Sequence, residues 1–234
     1  MRRNSPPSGN RLLTSLSAAD FGLLQPHLVS FALELRQVLE APNRRIDHVY
    51  FIDSGFASVV AVRAKEVEAE VGLIGREGMT GLAVVLGDDR SPQSTYIQAA
   101  GEGRRIAAIA LRKAMSSSPS LQRLLLKYVQ AFMIQTAHTA MANACAMLDQ
   151  RLARWILMAD DRIEGGSLPL THEFLSVMLG VRRAGVTEAL HALEMRGLIR
   201  ASRGLIIVRD RKGIERRAGP AYGVPEAEFR RLIG

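Results

Sequence analysis

Residues 171–198, THEFLSVMLGVRRAGVTEALHALEMRGL, decide the fold of this chain. Phe174, Leu175, Met178 and Leu179 recur at helical spacing, and Val186, Ala189, Leu190 and Leu193 repeat the pattern, so two short amphipathic helices are predicted. Gly180 stands between them, where the chain must reverse and where only glycine adopts positive φ at no steric cost. Ser176, a small residue, precedes it by one helical turn, and Val181 follows to plug the angle between the helices. This order is that of a helix-turn-helix, whose second helix enters the major groove of DNA.

Burying Val186, Leu190 and Leu193 turns Arg183, Thr187 and His191 outward, with Arg182, Ala184 and Glu188 beside them. The arginines stand at the helix N-terminus, the end that reaches base edges in this docking geometry. Arginine forks onto guanine, glutamate accepts from cytosine, and threonine serves base or phosphate. Thr171, heading the first helix, joins this candidate DNA-binding set. Gly185 costs about 1 kcal/mol of helix propensity against alanine; it either admits a close backbone or phosphate or is simply tolerated. The bland alternative is a helical hairpin with a solvated charged face.

Leu198-Ile199-Arg200, Ala201-Ser202-Arg203-Gly204 and the apolar run 205–208 then predict a hairpin with a basic tip. A helix-turn-helix followed at once by such a hairpin is a winged helix. Arg200, Arg203, Arg209, Arg211 and Lys212 are its expected phosphate contacts, which set affinity and salt dependence rather than sequence preference. Charge agrees: residues 151–218 hold 13 Lys and Arg against 8 Asp and Glu, while residues 1–118 hold 14 against 12. Most of the net charge of +8 therefore lies in the winged segment.

At 234 residues, 47% hydrophobic and 23% charged, the composition is that of an ordinary soluble protein with two modest domains. No stretch approaches the ~20 apolar residues of a membrane span. The N-terminal MRRNSPPSGN is basic without an apolar run behind it, so it reads as a frayed tail rather than a signal peptide, and a cytoplasmic location is expected. Cys145, the one cysteine, rules out an internal disulfide and a cysteine-ligated iron–sulfur cluster. It reads either as a redox reporter or, more simply, as a small buried apolar residue.

Residues 11–28 suggest a helical lead-in capped by Ser17. From about 30 to 113, short apolar or alternating runs at 31–35, 49–52, 57–62, 67–74, 94–99 and 105–109 predict an antiparallel barrel or roll, with a charged turn at 63–66. Inside it, LIGREGMTGLAVVLG (73–87) places Gly75, Gly78 and Gly81 before one short apolar helix. Glycines opening a helix can offer backbone N–H groups to an anion, although such turns are more often structural. From Pro119 to about Ala159 a long helix is predicted. Leu121, Leu125, Tyr128, Phe132, Thr136 and Ala140 form its candidate dimer seam, the alternative being a monomer whose helix packs only on its own roll. Trp155 reads as a core anchor of the second domain.

The stretches HVYFIDSG (48–55), GREGMTG (75–81), QRLARW (150–155), LPLT (168–171) and LGVRR (179–183) make the chain resemble the Crp/Fnr superfamily of bacterial transcription regulators, from Leu12 to about Glu215. The resemblance implies an α+β fold: an antiparallel sensor β-roll of the jelly-roll type at 1–118, a dimerisation helix at 119–159, a winged helix-turn-helix at 160–218 and a tail at 219–234. It also implies a homodimer that reads a palindromic operator in double-stranded DNA, contacts RNA polymerase and takes an effector in the roll. The candidate effector pocket is Gly78, Thr80, Gly81, Leu82, Arg90, Gln93 and Ser94.

Here the chain departs from the family. Where cyclic-nucleotide-binding members carry Gly-Glu it has Gly81-Leu82, and where they carry Arg-Ser it has Gln93-Ser94, with Arg90-Ser91 nearby. Glutamine cannot neutralise a phosphate, so cyclic AMP or GMP is not the expected effector. A haem would need an axial ligand such as His48 or His138, which read as ordinary histidines; no cofactor or metal is expected. No hydrolase elbow, P-loop, zinc motif or dinucleotide fingerprint appears, so an enzyme is not expected. The competing function is a non-catalytic scaffold whose winged domain contacts proteins.

Overall fold

The computed structural model describes residues 9–64, 67–163 and 165–234. The expected tail at 1–8 and the centre of the turn at 63–66 lie outside the described residues. The chain divides into two compact units. One takes in the chain up to Val59, Ile74–Met133 and Phe229–Gly234; the other takes in Val60–Leu73 and Ile134–Glu228.

In the first unit, α1 (Arg11–Thr14) and α2 (Ala18–Leu24) lead in. Asn10 is fully buried, not frayed: its side chain accepts from the Leu13 amide and donates to the carbonyls of Ile52 and Gly78, both at 2.8 Å. An asparagine that caps a helix and satisfies two buried carbonyls is a fixed point, which the polar sequence around it conceals. Ser17 caps α2 as expected, and Asp20 of that helix accepts from the Ser118 and Ser120 hydroxyls.

The strands are β1 (Val29–Leu33), β2 (Val38–Glu40), β3 (His48–Ile52), β4 (Phe56–Ala64), β5 (Val67–Ile74), β6 (Ser94–Ala99) and β7 (Gly101–Ala107). One antiparallel sheet has the order β1-β7-β3 and the other β2-β6-β4-β5, so sequence-distant strands pair, as in a roll. Tyr50 and Val29 both stand opposite Arg105. Strand β2 carries no run long enough to be read from sequence. The apolar run expected as strand at 105–109 leaves the sheet after Ala107 and becomes α4 (Ala108–Ser117), which buries Leu111 and Met115. The short helix α3 (Leu82–Leu86) follows the glycines as expected.

The long helix breaks. Helix α5 (Pro119–Cys145) ends, Gln150 accepts from the Met147 amide at 2.9 Å, and α6 (Leu148–Asp160) starts anew. Continuous apolar spacing conceals this break; the polar N3 residue Gln150 is its sequence trace. Leu121, Leu125 and Tyr128 pack into the first unit's own core with Leu12, Phe51, Met79, Val84 and Leu111, and the Tyr128 hydroxyl donates to the Met79 carbonyl at 3.0 Å. Phe132 is buried as well. These side chains, assigned by periodicity to a partner, are therefore taken by the chain itself, where burial of each stabilises by about 1.5–3 kcal/mol. Phe229 and Ile233 of the last helix, α10 (Val224–Ile233), pack against the same cluster.

In the second unit, α6 buries Trp155, whose Nε1 donates to Glu70 at 2.7 Å and whose ring meets Phe174 edge-on. Gln135 bonds both backbone groups of Leu73. Arg154 is buried but satisfied by the Ala221 carbonyl at 2.9 Å and the Thr139 hydroxyl at 3.1 Å. Then follow β8 (Ser167–Leu168), α7 (His172–Leu179), α8 (Arg183–Met195), β9 (Ile199–Ser202), β10 (Leu205–Val208) and α9 (Arg211–Ala218), with an antiparallel sheet β8-β10-β9. Cys145, expected to be buried, is exposed at the end of α5.

Candidate nucleic-acid interface

Helix α7 begins at Thr171, whose hydroxyl accepts from the Phe174 amide at 3.1 Å, and ends at Gly180 with φ +62°. The Val181 amide returns to the Ser176 carbonyl at 2.9 Å, closing the turn. Arg151 of α6 donates to the carbonyl of Leu179 and, at 3.0 Å, to Asn143, so the C-terminal end of α7 is held from outside. Burial lowers the Arg151 pKa, yet an arginine keeps its charge.

Helix α8 buries Val186, Ala189, Leu190 and Leu193. Arg182, Arg183, Thr187, Glu188 and His191 are all exposed, and Thr171 and Arg203 are exposed too. No side chain caps the start of α8, so its free amides and the two arginines share one end of the helix. Gly185 has a packing reason: a Cβ there would stand 3.1 Å from the Leu148 side chain of α6, tighter than an ordinary contact. His172, which the sequence reading passes over, places its Nδ1 2.9 Å from the Thr187 hydroxyl. Nothing in a one-dimensional pattern pairs two polar residues on different helices.

The wing is a two-residue turn, Arg203-Gly204, between β9 and β10, with Ser202 opposite Leu205. Glu194 of α8 accepts from the Ala201 amide at 3.0 Å, tying wing to helix. Arg200, Arg203, Arg209 and Lys212 are exposed and carry no ion pair among the described residues. Arg211 is a correction. Its guanidinium lies 2.6 Å from both Asp160 and Asp161, 3.1 Å from Glu215 and 2.9 Å from the Tyr222 hydroxyl. Burial works against its charge, but Asp161 and the other acceptors outweigh it and raise its pKa. Burial and the hydrogen bond to Asp161 raise that of Tyr222. Arg211 thus ties α9 and Tyr222 to the end of α6 instead of reaching phosphate.

The Gly-rich cassette lies in the first unit. Gly81 has φ +77°, and a Cβ on Gly78 would run into the Tyr128 ring. Thr80 is fully buried and its hydroxyl accepts from the Tyr50 amide at 3.1 Å, while Leu82 is half-buried. Arg90 is exposed and paired with Asp89, Gln93 is hydrogen-bonded to Ser91, and the Ser94 hydroxyl reaches the Glu40 carbonyl at 3.4 Å. The side chain that meets the cassette is one the sequence reading missed. Glu40 of β2 accepts from the Gly81 amide at 2.5 Å and the Thr95 hydroxyl at 3.0 Å. Its only trace in the sequence is a charge inside the short apolar run VLEA.

Residues 150–217 match the model of the Crp-like helix-turn-helix domain. No curated protein sequence matches the chain. Among solved structures, a putative Crp/Fnr-family transcriptional regulator from Eubacterium rectale superposes with a TM-score of 0.70 at 18% identity, covering 92% of this chain and 99% of that one. FixK2 from Bradyrhizobium japonicum gives 0.69 at 15% identity, covering 83% and 99%. A Crp/Fnr-family regulator from Thermus thermophilus gives 0.65 at 23% identity, covering 82% and 97%. At these identities the likeness is one of fold.

Proposed function

We propose that this chain, which carries a Crp-like helix-turn-helix domain and the fold of Crp/Fnr regulators, is a homodimeric transcription regulator of that superfamily that reads a palindromic operator through α8. The observation that carries this reading is the division of α8 into two faces. Val186, Ala189, Leu190 and Leu193 are consumed by packing, and Arg182, Arg183, Thr187, Glu188 and His191 stand together in solvent. Arg182 and Arg183 head the groove-entering helix, and Arg200, Arg203, Arg209 and Lys212 supply the phosphate contacts. Bound DNA is then offered to, or withheld from, RNA polymerase.

The dimer seam in this reading is a second stripe of α5. Leu126, Gln130, Met133, Ala137, Ala140 and Ala144 follow the alternating four-and-three spacing of a coiled coil, and each is at least partly open to solvent. Leu126 is 41% and Met133 64% exposed, values that an apolar seam left without its partner would show. Of the residues first assigned to the seam by periodicity, Ala140 alone lies on this stripe.

Selection from genomic DNA fragments with the purified protein, followed by titration of the enriched duplex over a salt series, tests the reading. An enriched palindrome bound with a steep salt slope and a clear preference over scrambled DNA is expected. Indifference to sequence at physiological ionic strength overturns it.

A further inference from the structure

Among the described residues, the roll contains a buried carboxyl group that makes no ion pair. Glu40 is 9% exposed, and no Lys, Arg or His forms an ion pair with it among the described residues. What holds it is a set of neutral donors: the Gly81 amide at 2.5 Å, the Thr95 hydroxyl at 3.0 Å and the Thr80 hydroxyl. A buried acid is costly unless its oxygens are fully hydrogen-bonded, and these donors converge from the glycine cassette and from β6 onto one side chain of β2. Donors gathered in this way are what a bound oxyanion would require. Of the candidate pocket residues, Arg90 is exposed and already paired with Asp89, and position 93 is glutamine, so neither brings a free cation to this point.

We propose that Glu40 is the specificity-determining residue of the roll: its carboxyl group is a built-in occupant of the cassette's anion position and closes that position to phosphate-bearing effectors. The inference rests on reading the roll as the sensor domain, but not on the DNA-binding face. An effector of this protein is then a molecule without a phosphate at the cassette, or a partner acting elsewhere on the chain.

Thermal unfolding of the full chain tests this with cyclic AMP, cyclic GMP, inorganic phosphate and acetate as probes, on wild type, Glu40→Ala and Glu40→Gln. Wild type is expected to show no shift with millimolar cyclic nucleotide or phosphate. Glu40→Ala leaves the three donors empty, so it is expected to unfold at lower temperature and to recover part of the loss in acetate. Glu40→Gln keeps an acceptor in place and is expected to be indifferent to acetate. Stabilisation of wild type by either cyclic nucleotide overturns the proposal, as does a Glu40→Ala protein with wild-type stability. Acetate acting equally on the Ala and Gln variants also overturns it. Should Glu40→Ala fail to fold, the wild-type titrations still decide. Operator binding by the same preparations is scored separately, so loss of the DNA reading leaves this result standing, and the reverse holds too.

Discussion

His172 Nδ1, at the start of α7, lies 2.9 Å from the hydroxyl of Thr187, one of the exposed residues of α8. Thr187 also approaches the Arg183 carbonyl at 3.2 Å. The hydroxyl has one proton, so when it goes to that carbonyl the imidazole must be the donor. His172 thereby fixes which lone pair Thr187 leaves facing outward. His172→Ala should weaken operator binding by about 0.5–1.5 kcal/mol, the net worth of one hydrogen bond. The loss should concentrate at a single base pair in a panel of operator variants. An equal loss across the panel would make His172 a phosphate contact instead.

Arg183 and Arg203 should separate base reading from backbone binding. Arg183→Ala is expected to lower discrimination at one base pair by roughly 1–3 kcal/mol, whereas Arg203→Ala weakens all sequences alike. Anisotropy titrations with single-substituted duplexes distinguish the two patterns. Unchanged sequence preference in Arg183→Ala would mean that α8 presents a different face to DNA.

Arg211 should affect stability and leave the salt slope alone. Its 38% exposed side chain limits each ion pair to a modest contribution, but it faces two carboxylates at 2.6 Å and a tyrosine hydroxyl. Arg211→Ala is expected to cost about 1–2 kcal/mol in urea unfolding, within the ordinary range for breaking such a network. The dependence of log K on log salt should not change. Lys212→Ala should do the opposite, reducing that slope by about 1 with little loss of stability.

Glu40 gives a signed pH dependence. Burial, partly offset by the bonds from Gly81, Thr95 and Thr80, raises its pKa above the ordinary 4.5. A carboxyl with a raised folded-state pKa contributes stability that is present in acid and lost as pH rises through that value. Glu40→Gln lacks this titration. Relative to wild type, the variant should therefore gain stability as pH climbs from about 4.5 and level off above the folded-state pKa. Urea midpoints across a pH series measure the difference, and a gap of constant size contradicts the assignment.

Met133→Glu should break the dimer while leaving the protomer folded, because Met133 is exposed in the single chain. Sedimentation is expected to show a monomer whose far-UV spectrum matches wild type. Its operator affinity should fall by orders of magnitude, because two half-sites are no longer held together. A dimer that survives this change would place the seam elsewhere.

The helix-turn-helix was legible because its signals are local: a 3.6-residue period on each side of one glycine, then a short hairpin. The strands of the roll were legible for the same reason, but their limits were not. At 105–109 an apolar run fits strand and helix equally, and packing of Leu111 and Met115 decides for helix from Ala108 onward. Helix α5 misled most, since it is apolar on two stripes and periodicity cannot say which stripe the chain keeps for itself. Tyr128, bonded to Met79, belongs to the inner stripe; Met133 belongs to the outer one. Asn10, Glu40 and Arg211 escaped because their roles depend on partners some 40 to 70 residues away, and a polar residue's distant partner leaves no periodic trace.

Phe229 and Ile233 lie against the cluster that contains Leu12, Leu13 and Leu24. During synthesis, therefore, the segment that holds Leu12, Leu13 and Leu24 waits for Phe229 and Ile233 before its apolar interior is sealed. A fragment stopping at Met133 carries an uncovered greasy patch, and such a fragment invites aggregation and chaperone capture. For anyone dissecting this protein, the β-roll is best studied with Val224–Ile233 retained, whether in one polypeptide or supplied as a peptide.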